Sequence, residues 1–274
     1  MRASGAKVLT LSYLLFLVLL LVSGSIEWQI VSEIVYYSAF IAPIVMCEIY
    51  LHRCGERPEM PLRLGKREIY TVLLLAMPFV VTVGAVSEGV GALIYLLTGE
   101  VRETVLEGDI FTRLLLHACL PALLEETVFR YLPYRMLRGH SNATVIIVSA
   151  LSFGVAHISL FSLPYALVAG AILMGVMIAT RSVVTTFILH FVNNAISVLL
   201  MTYGGDQTVK NAIYVIICLL FVLSLAFIIA KRKQFITVIR DAVSCNGDKM
   251  FPTETLMYIL CGAIVSFMTF GGAS

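Results

Sequence analysis

Residues 110–137 read IFTRLLLHACLPALLEETVFRYLPYRML, and this stretch decides what kind of protein the chain encodes. It is long enough to cross a bilayer, which takes about 20 mostly apolar residues. Its middle nevertheless carries Glu125, Glu126 and Arg130. On insertion scales a charged residue at the centre of a membrane helix costs roughly 2.5–3.5 kcal/mol, so such residues usually pair or work. Glu126 and Arg130 stand four apart and share a helix face, where they can form an ion pair that neutralises both. Glu125 is rotated about 100° from Glu126 and must find another partner. The expected division of labour is Glu126 with Arg130 as scaffold and Glu125 as the reactive group. In the competing reading both glutamates merely bridge helices, which is a lot of charge for glue.

Two more polar clusters interrupt apolar helices: Phe153-Gly154-Val155-Ala156-His157 and His190-Phe191-Val192-Asn193-Asn194. A lone membrane histidine is more often a packing residue than a catalyst. Depth changes the weighing. At 1.5 Å per residue, Glu125 lies roughly 20 Å from Arg138 at the cytoplasmic end of its helix, and His157 about 21 Å from Ala143. On the same rise Asn194 is about 16 Å and His190 about 10 Å from Val183. Three helices thus carry polar groups at compatible depths, expected between the midplane and the cytoplasmic leaflet of one shared cavity. His190 and Asn194 share a face, where imidazole and amide can donate to a developing oxyanion. Asn193 points elsewhere and reads as structural, while Phe153 shares a face with His157. Gly154, Gly170 and Gly175 permit close helix contact.

Composition agrees with a lipid setting. Of the 274 residues 59% are apolar and 13% charged, with a mean hydropathy of +0.95, against about 25% charged residues in soluble domains. A net charge of +2 gives no argument for nucleic acid, and none is expected as a partner. The expected fold is all-α: a polytopic transmembrane helix bundle of eight or nine spans. The candidates are residues 8–23, 30–51, 69–97, 110–137, 143–157, 163–180, 183–202, 212–230 and 255–270. The first could be a cleaved signal peptide, leaving eight, but its length favours an uncleaved anchor. The third carries Pro78, Gly84, Gly89 and Gly91 and is expected to be kinked or broken.

Apart from the intramembrane Arg130, every basic residue except Arg102, Arg113 and Lys210 falls in alternate connections: 1–7, 52–68, 134–141, the turn at Arg181, and 231–254. By the positive-inside rule the N-terminus is cytoplasmic. A single membrane domain, 1–274, is expected, with a catalytic core at 110–202 and flanking helices in 1–109 and 203–274. The mixed-charge segments 53–68 and 231–254 read as solvated tethers. The six cysteines form no C-x-x-C pair and are expected to be reduced. His117, Glu33, Glu48 and Glu88 lie in or near spans with nothing recognisable around them. No HExxH and no G-x-S-x-G elbow exists, so a serine or cysteine nucleophile is unsupported.

The ordered triplet Glu125-Glu126-xxx-Arg130, Phe153-xxx-His157 and His190-xxx-Asn194, on three separate spans, resembles the three motifs of the CAAX-protease and bacteriocin-processing (CPBP) intramembrane peptidases, among them the type II CAAX prenyl endopeptidases. The resemblance covers roughly residues 110–202. It implies that Glu125 and His157 activate a water, that His190 and Asn194 form the oxyanion pocket, that Arg130 orients the glutamates and that Phe153 lines the cavity. The usual small residue after the arginine is Tyr131 here, which is expected to narrow the pocket mouth. The implied activity is peptide hydrolysis without a covalent intermediate, on a peptide or lipidated-peptide substrate in the lipid bilayer. No cofactor is required on this reading. Family members have been described as metallopeptidases, and Glu125, His157 and His190 could bind zinc and leave a position open. The short loops fit a bacterial cell membrane, with a site opening towards the cytoplasmic side. Two other functions compete: a transporter or proton relay, for which inverted repeats would speak and none is visible, and a non-catalytic bacteriocin-immunity scaffold that keeps the motifs.

Overall fold

The computed structural model describes residues 2–56, 61–99, 106, 108–244 and 251–271. Arg57, Arg102, Cys245 and Lys249, which enter the charge and cysteine expectations above, lie outside them. The protein is 85% helical, with no strand among the described residues. Among the described residues six helices are long and apolar enough to cross a membrane: Gly5–Gly24, Gln29–Arg53, Lys66–Thr98, Leu163–Thr180, Val183–Tyr203 and Gln207–Ala230. Asn142–Ala156 and Thr253–Met268 are apolar but shorter.

The chain falls into two compact units and passes between them inside two of its helices. The first comprises Met1–Met60, Glu125–Met174 and Ser244–Ser274, the second Pro61–Leu124 and Gly175–Val243.

In the first unit, α1 (Arg2–Gly24) and α2 (Gln29–Arg53) form a hairpin. Its turn is closed by Ser25 N–H to Val22 and by the Ser32 hydroxyl, which donates to the Ser23 carbonyl at 2.8 Å.

The stretch 110–137 is helical, but not as a plain α-helix. It runs as α4 (Ile110–Leu114), a π-helical turn (Leu115–Cys119), α5 (Leu120–Glu126), a second π turn (Thr127–Tyr131) and α6 (Leu132–Met136). The wide turns close on Leu120 N–H to Leu115 O and Leu132 N–H to Thr127 O. Each closing residue is followed by a proline, Pro121 or Pro133. A proline ring collides with the carbonyl four residues back and cannot donate. Widening the turn before it relieves both problems, and such π turns are frequent at functional sites.

After Ser141, whose side chain caps the next helix at the Thr144 amide, come α7 (Asn142–Ala156) and α8 (Leu163–Thr180). They pack closely where glycine allows it. A Cβ on Gly170 would stand 2.8 Å from the Ala150 Cα, and one on Gly154 2.9 Å from the tip of Leu163. The last helix of the chain, Thr253–Gly271, packs on α1 and α7.

The core of this unit is aromatic. Phe129 meets Tyr13, Phe16 and Phe153, each with ring centres 5.5 Å apart. Edge-on and tilted pairs of this kind add about 0.5–1.5 kcal/mol beyond their burial. The two buried tyrosines of the cluster spend their hydroxyls on backbone carbonyls, Tyr13 on Val128 at 2.9 Å and Tyr258 on Ser152 at 3.1 Å.

In the second unit α3 (Lys66–Thr98) packs on α9 (Val183–Tyr203) and α10 (Gln207–Ala230). The expectation that the third span breaks is not met: α3 runs unbroken for 33 residues with Pro78 inside and ends at Gly99 in the left-handed region, φ 71°. The tether expected at 231–254 is also corrected in part. Residues Arg232–Val243 form α11, an amphipathic helix packed on α3 and held by an Arg67–Asp241 ion pair at 2.6 Å. Its buried side chain is Val238, while Ile236, Ile239 and Val243 on the same helix stay exposed. The helix Thr253–Gly271 is therefore α12. Along α10, large apolar side chains such as Leu219, Val222, Leu223 and Ile229 are exposed, as lipid-facing residues are. Cys47, Cys54, Cys119, Cys218 and Cys261 are unpaired.

Candidate active site

Glu125 is the penultimate residue of α5, which ends at Glu126 just before the second π turn. The wide turn loosens the ladder around Phe129, and two side-chain donors take over. The Ser149 hydroxyl donates to the Phe129 carbonyl at 2.6 Å and Arg130 Nη1 donates to it at 3.3 Å. Phe129 is the residue four before Pro133, so its carbonyl is the one that proline excludes from ordinary helical bonding.

Glu126 and Arg130 form the expected (i, i+4) ion pair, 3.4 Å apart, with both side chains fully buried. The guanidinium also lies over the Phe153 ring, 4.4 Å from its centre. A cation with an anion on one side and a π face on another loses far less on leaving water than a bare one.

His157 is the C-cap of α7, just past the end of the helix. Its Nδ1 is 2.9 Å from the Phe153 carbonyl. A carbonyl can only accept, so Nδ1 carries the proton in this bond and a neutral ring presents an unprotonated Nε2. The Phe153 ring stands edge-on to the imidazole at 4.7 Å and 85°. Phe153 thus holds both Arg130 and His157. The chain leaves the helix through Ile158 at φ 46°, a costly conformation for a β-branched residue. That bend ends α7 directly after the imidazole.

Glu125 and His157 line one cavity of about 320 Å³ together with Phe16, Leu20, Ser23, Tyr36, Phe40, Phe129, Phe153, Ala156 and Ile158. All of these belong to the first unit. The walls are mostly aromatic and aliphatic, with the carboxylate and the imidazole as the ionisable pair beside the Tyr36 phenol. The cavity sits near the C-terminal ends of α1 and α7 and the N-terminal half of α2.

Tyr131 does not narrow this cavity. The π turn rotates it towards α2, where its hydroxyl is 2.5 Å from Glu48 Oε1. It stacks there near Arg135, whose guanidinium reaches Glu56 at 3.0 Å, as does that of Arg138. The contributions of α1 and α2 to the cavity were not visible in the sequence. Tyr36, Phe40 and Phe16 are ordinary apolar-helix residues until the hairpin folds against α5.

His190 and Asn194 lie on α9 in the second unit, one turn apart. His190 is buried, at 5% exposure, and Asn193 Nδ2 donates to Asn194 Oδ1 at 3.3 Å. Among the described residues no group of three His, Cys, Asp or Glu side chains is arranged to hold a metal ion.

A membrane-embedded helical protein with an acid–imidazole cavity is a class with few chemistries. Residues 107–196 match the family described as Type II CAAX prenyl endopeptidase Rce1-like. This match, which contains all three motifs, supports a CPBP-family protein. The family suggests CAAX-type intramembrane protease activity, and with the long apolar helices it supports an integral membrane location. No curated protein matches the chain, and no solved structure does.

Proposed function

We propose that the protein is an intramembrane endopeptidase that hydrolyses peptide bonds of membrane-associated, prenylated or leader-type peptides. It is a multi-pass protein of eight or nine spans in a bacterial cell membrane, with its N-terminus in the cytoplasm. Glu125 takes a proton from a water held between it and His157 Nε2. The water oxygen adds to the scissile carbonyl, whose developing oxyanion is received by His190 and Asn194. Collapse of the tetrahedral species breaks the C–N bond, and the proton on Glu125 passes to the leaving amine. Glu126, Arg130 and Phe153 keep the two reacting side chains in place. Atoms balance with water as the only co-reactant.

The observation that carries this reading is the single cavity shared by Glu125 and His157, with the imidazole's Nδ1 engaged by the Phe153 carbonyl. The test is cleavage of a membrane-anchored peptide library by the purified protein in liposomes. Glu125→Gln and His157→Ala should each lower kcat/KM by at least about 10²-fold, the scale of a lost general base, while thermal unfolding stays unchanged. Full activity in Glu125→Gln would end the proposal. A transporter would instead lose flux in that variant, and a scaffold would keep its phenotype.

A further inference from the structure

The first unit has two ends of different charge. One gathers Lys7 near the start of α1, Arg53 at the end of α2, and Arg135 and Arg138 at and after the end of α6, with Glu56 bridging the last two. The ends of α1 and α6 meet there, since a Cβ on Gly5 would stand 2.6 Å from the Met136 carbonyl oxygen. The other end holds the α1–α2 turn and the segment after α7. Residues 24–33 and 157–162 contain no lysine or arginine, only Glu27 and Glu33, with Trp28 77% exposed.

The cavity lies towards this second end. At 1.5 Å per residue, Glu125 is about 17 Å from Met136, His157 about 22 Å from Asn142, Ser23 about 24 Å from Lys7 and Tyr36 about 26 Å from Arg53. The hydrocarbon core is about 30 Å thick, so every one of these groups is past the midplane as measured from the basic end. Short connections rich in lysine and arginine stay in the cytoplasm, and a tryptophan at the other end suits an interface. With a cytoplasmic N-terminus these groups lie nearer the extracytoplasmic face.

We propose that the cavity opens to the extracytoplasmic side and takes peptide segments presented there, with a large apolar side chain next to the scissile bond. The substrate half of this inference rests on the peptidase reading above; the orientation half does not. The apolar preference follows from Phe16, Leu20, Phe40, Phe129 and Phe153, which are five of the eleven residues lining the cavity. A leader or exported peptide fits this geometry.

Two measurements on the full-length protein in intact cells test it. First, Trp28→Cys, Ser25→Cys and Arg138→Cys are each treated with a membrane-impermeant maleimide, read against the unsubstituted chain. Cysteines at 25 and 28 should label from outside, and the one at 138 only after permeabilisation. Second, a membrane-anchored reporter carries the same apolar-flanked peptide on its outer or its inner side. Cleavage should be confined to the outer reporter and lost in Glu125→Gln. Labelling at 138 from outside, or Glu125-dependent cleavage of the inner reporter alone, overturns the inference and leaves the peptidase reading standing. Cleavage on neither side overturns the peptidase reading and with it the substrate half, while the labelling still decides the orientation.

Discussion

Arg130 shows how much a buried charge depends on its partners. With both side chains of the Glu126–Arg130 pair fully buried, removing one partner strands the other in a medium that solvates it poorly. Arg130→Met should therefore lower stability by about 3–5 kcal/mol. Glu126→Gln combined with Arg130→Met should cost less than Arg130→Met alone, because no charge is left behind. Denaturant unfolding in detergent micelles measures both; a double variant at least as unstable as the single one would refute the pairing. This pair was legible in the sequence because four residues is a local distance on any helix. The state of His157 was not. Which of its nitrogens is protonated depends on α7 ending at Ala156, which brings Nδ1 to the Phe153 carbonyl, and that is not encoded in a one-letter pattern.

Helices in this protein succeed or fail at their ends and at their closest contacts. Gly170 meets the Ala150 backbone, so Gly170→Ala must push two helices apart. The expected cost is about 1–3 kcal/mol, the scale of overpacking, read as a lower Tm in micelles. Gly154→Ala meets only the movable ends of Leu163 and Leu167 and should cost less. The start of α4 is sensitive to pH. The Thr112 amide donates to the Asp109 carboxylate at 2.8 Å and, with the Thr112 hydroxyl, holds its pKa below the ordinary aspartate value. A depressed pKa stabilises fully above the unfolded value and is lost as the pH falls through the folded one. The Tm advantage over Asp109→Ala should therefore be constant near neutrality and shrink in acid, whereas Asp109→Asn should keep a pH-independent cap. The π turns were hidden for a related reason. Prolines at 121 and 133 announce a perturbed helix, but whether the chain kinks, breaks or widens is decided by what receives the freed carbonyls. At the second turn Ser149 and Arg130 donate to the Phe129 carbonyl. Pro78 and the glycines of α3 produced no break, and that helix packs on α9 and α10.

At the scale of the whole molecule, chemistry by Glu125 and His157 without a metal predicts that a chelator leaves peptide cleavage within about two-fold of its starting rate. Activity abolished by chelation and restored by zinc would overturn that part of the mechanism. The sequence by itself determined the helical class, the membrane setting and the three polar clusters within apolar helices. Each of these follows from composition or from spacing along a single helix, where local physics is sufficient. Only the tertiary structure decided that α1 and α2 wall the cavity, that Tyr131 turns to Glu48 instead of the pocket, and that the cavity lies far from the basic rim. Those facts depend on which helix ends meet, and packing between segments distant in the chain leaves no periodic trace in any one of them.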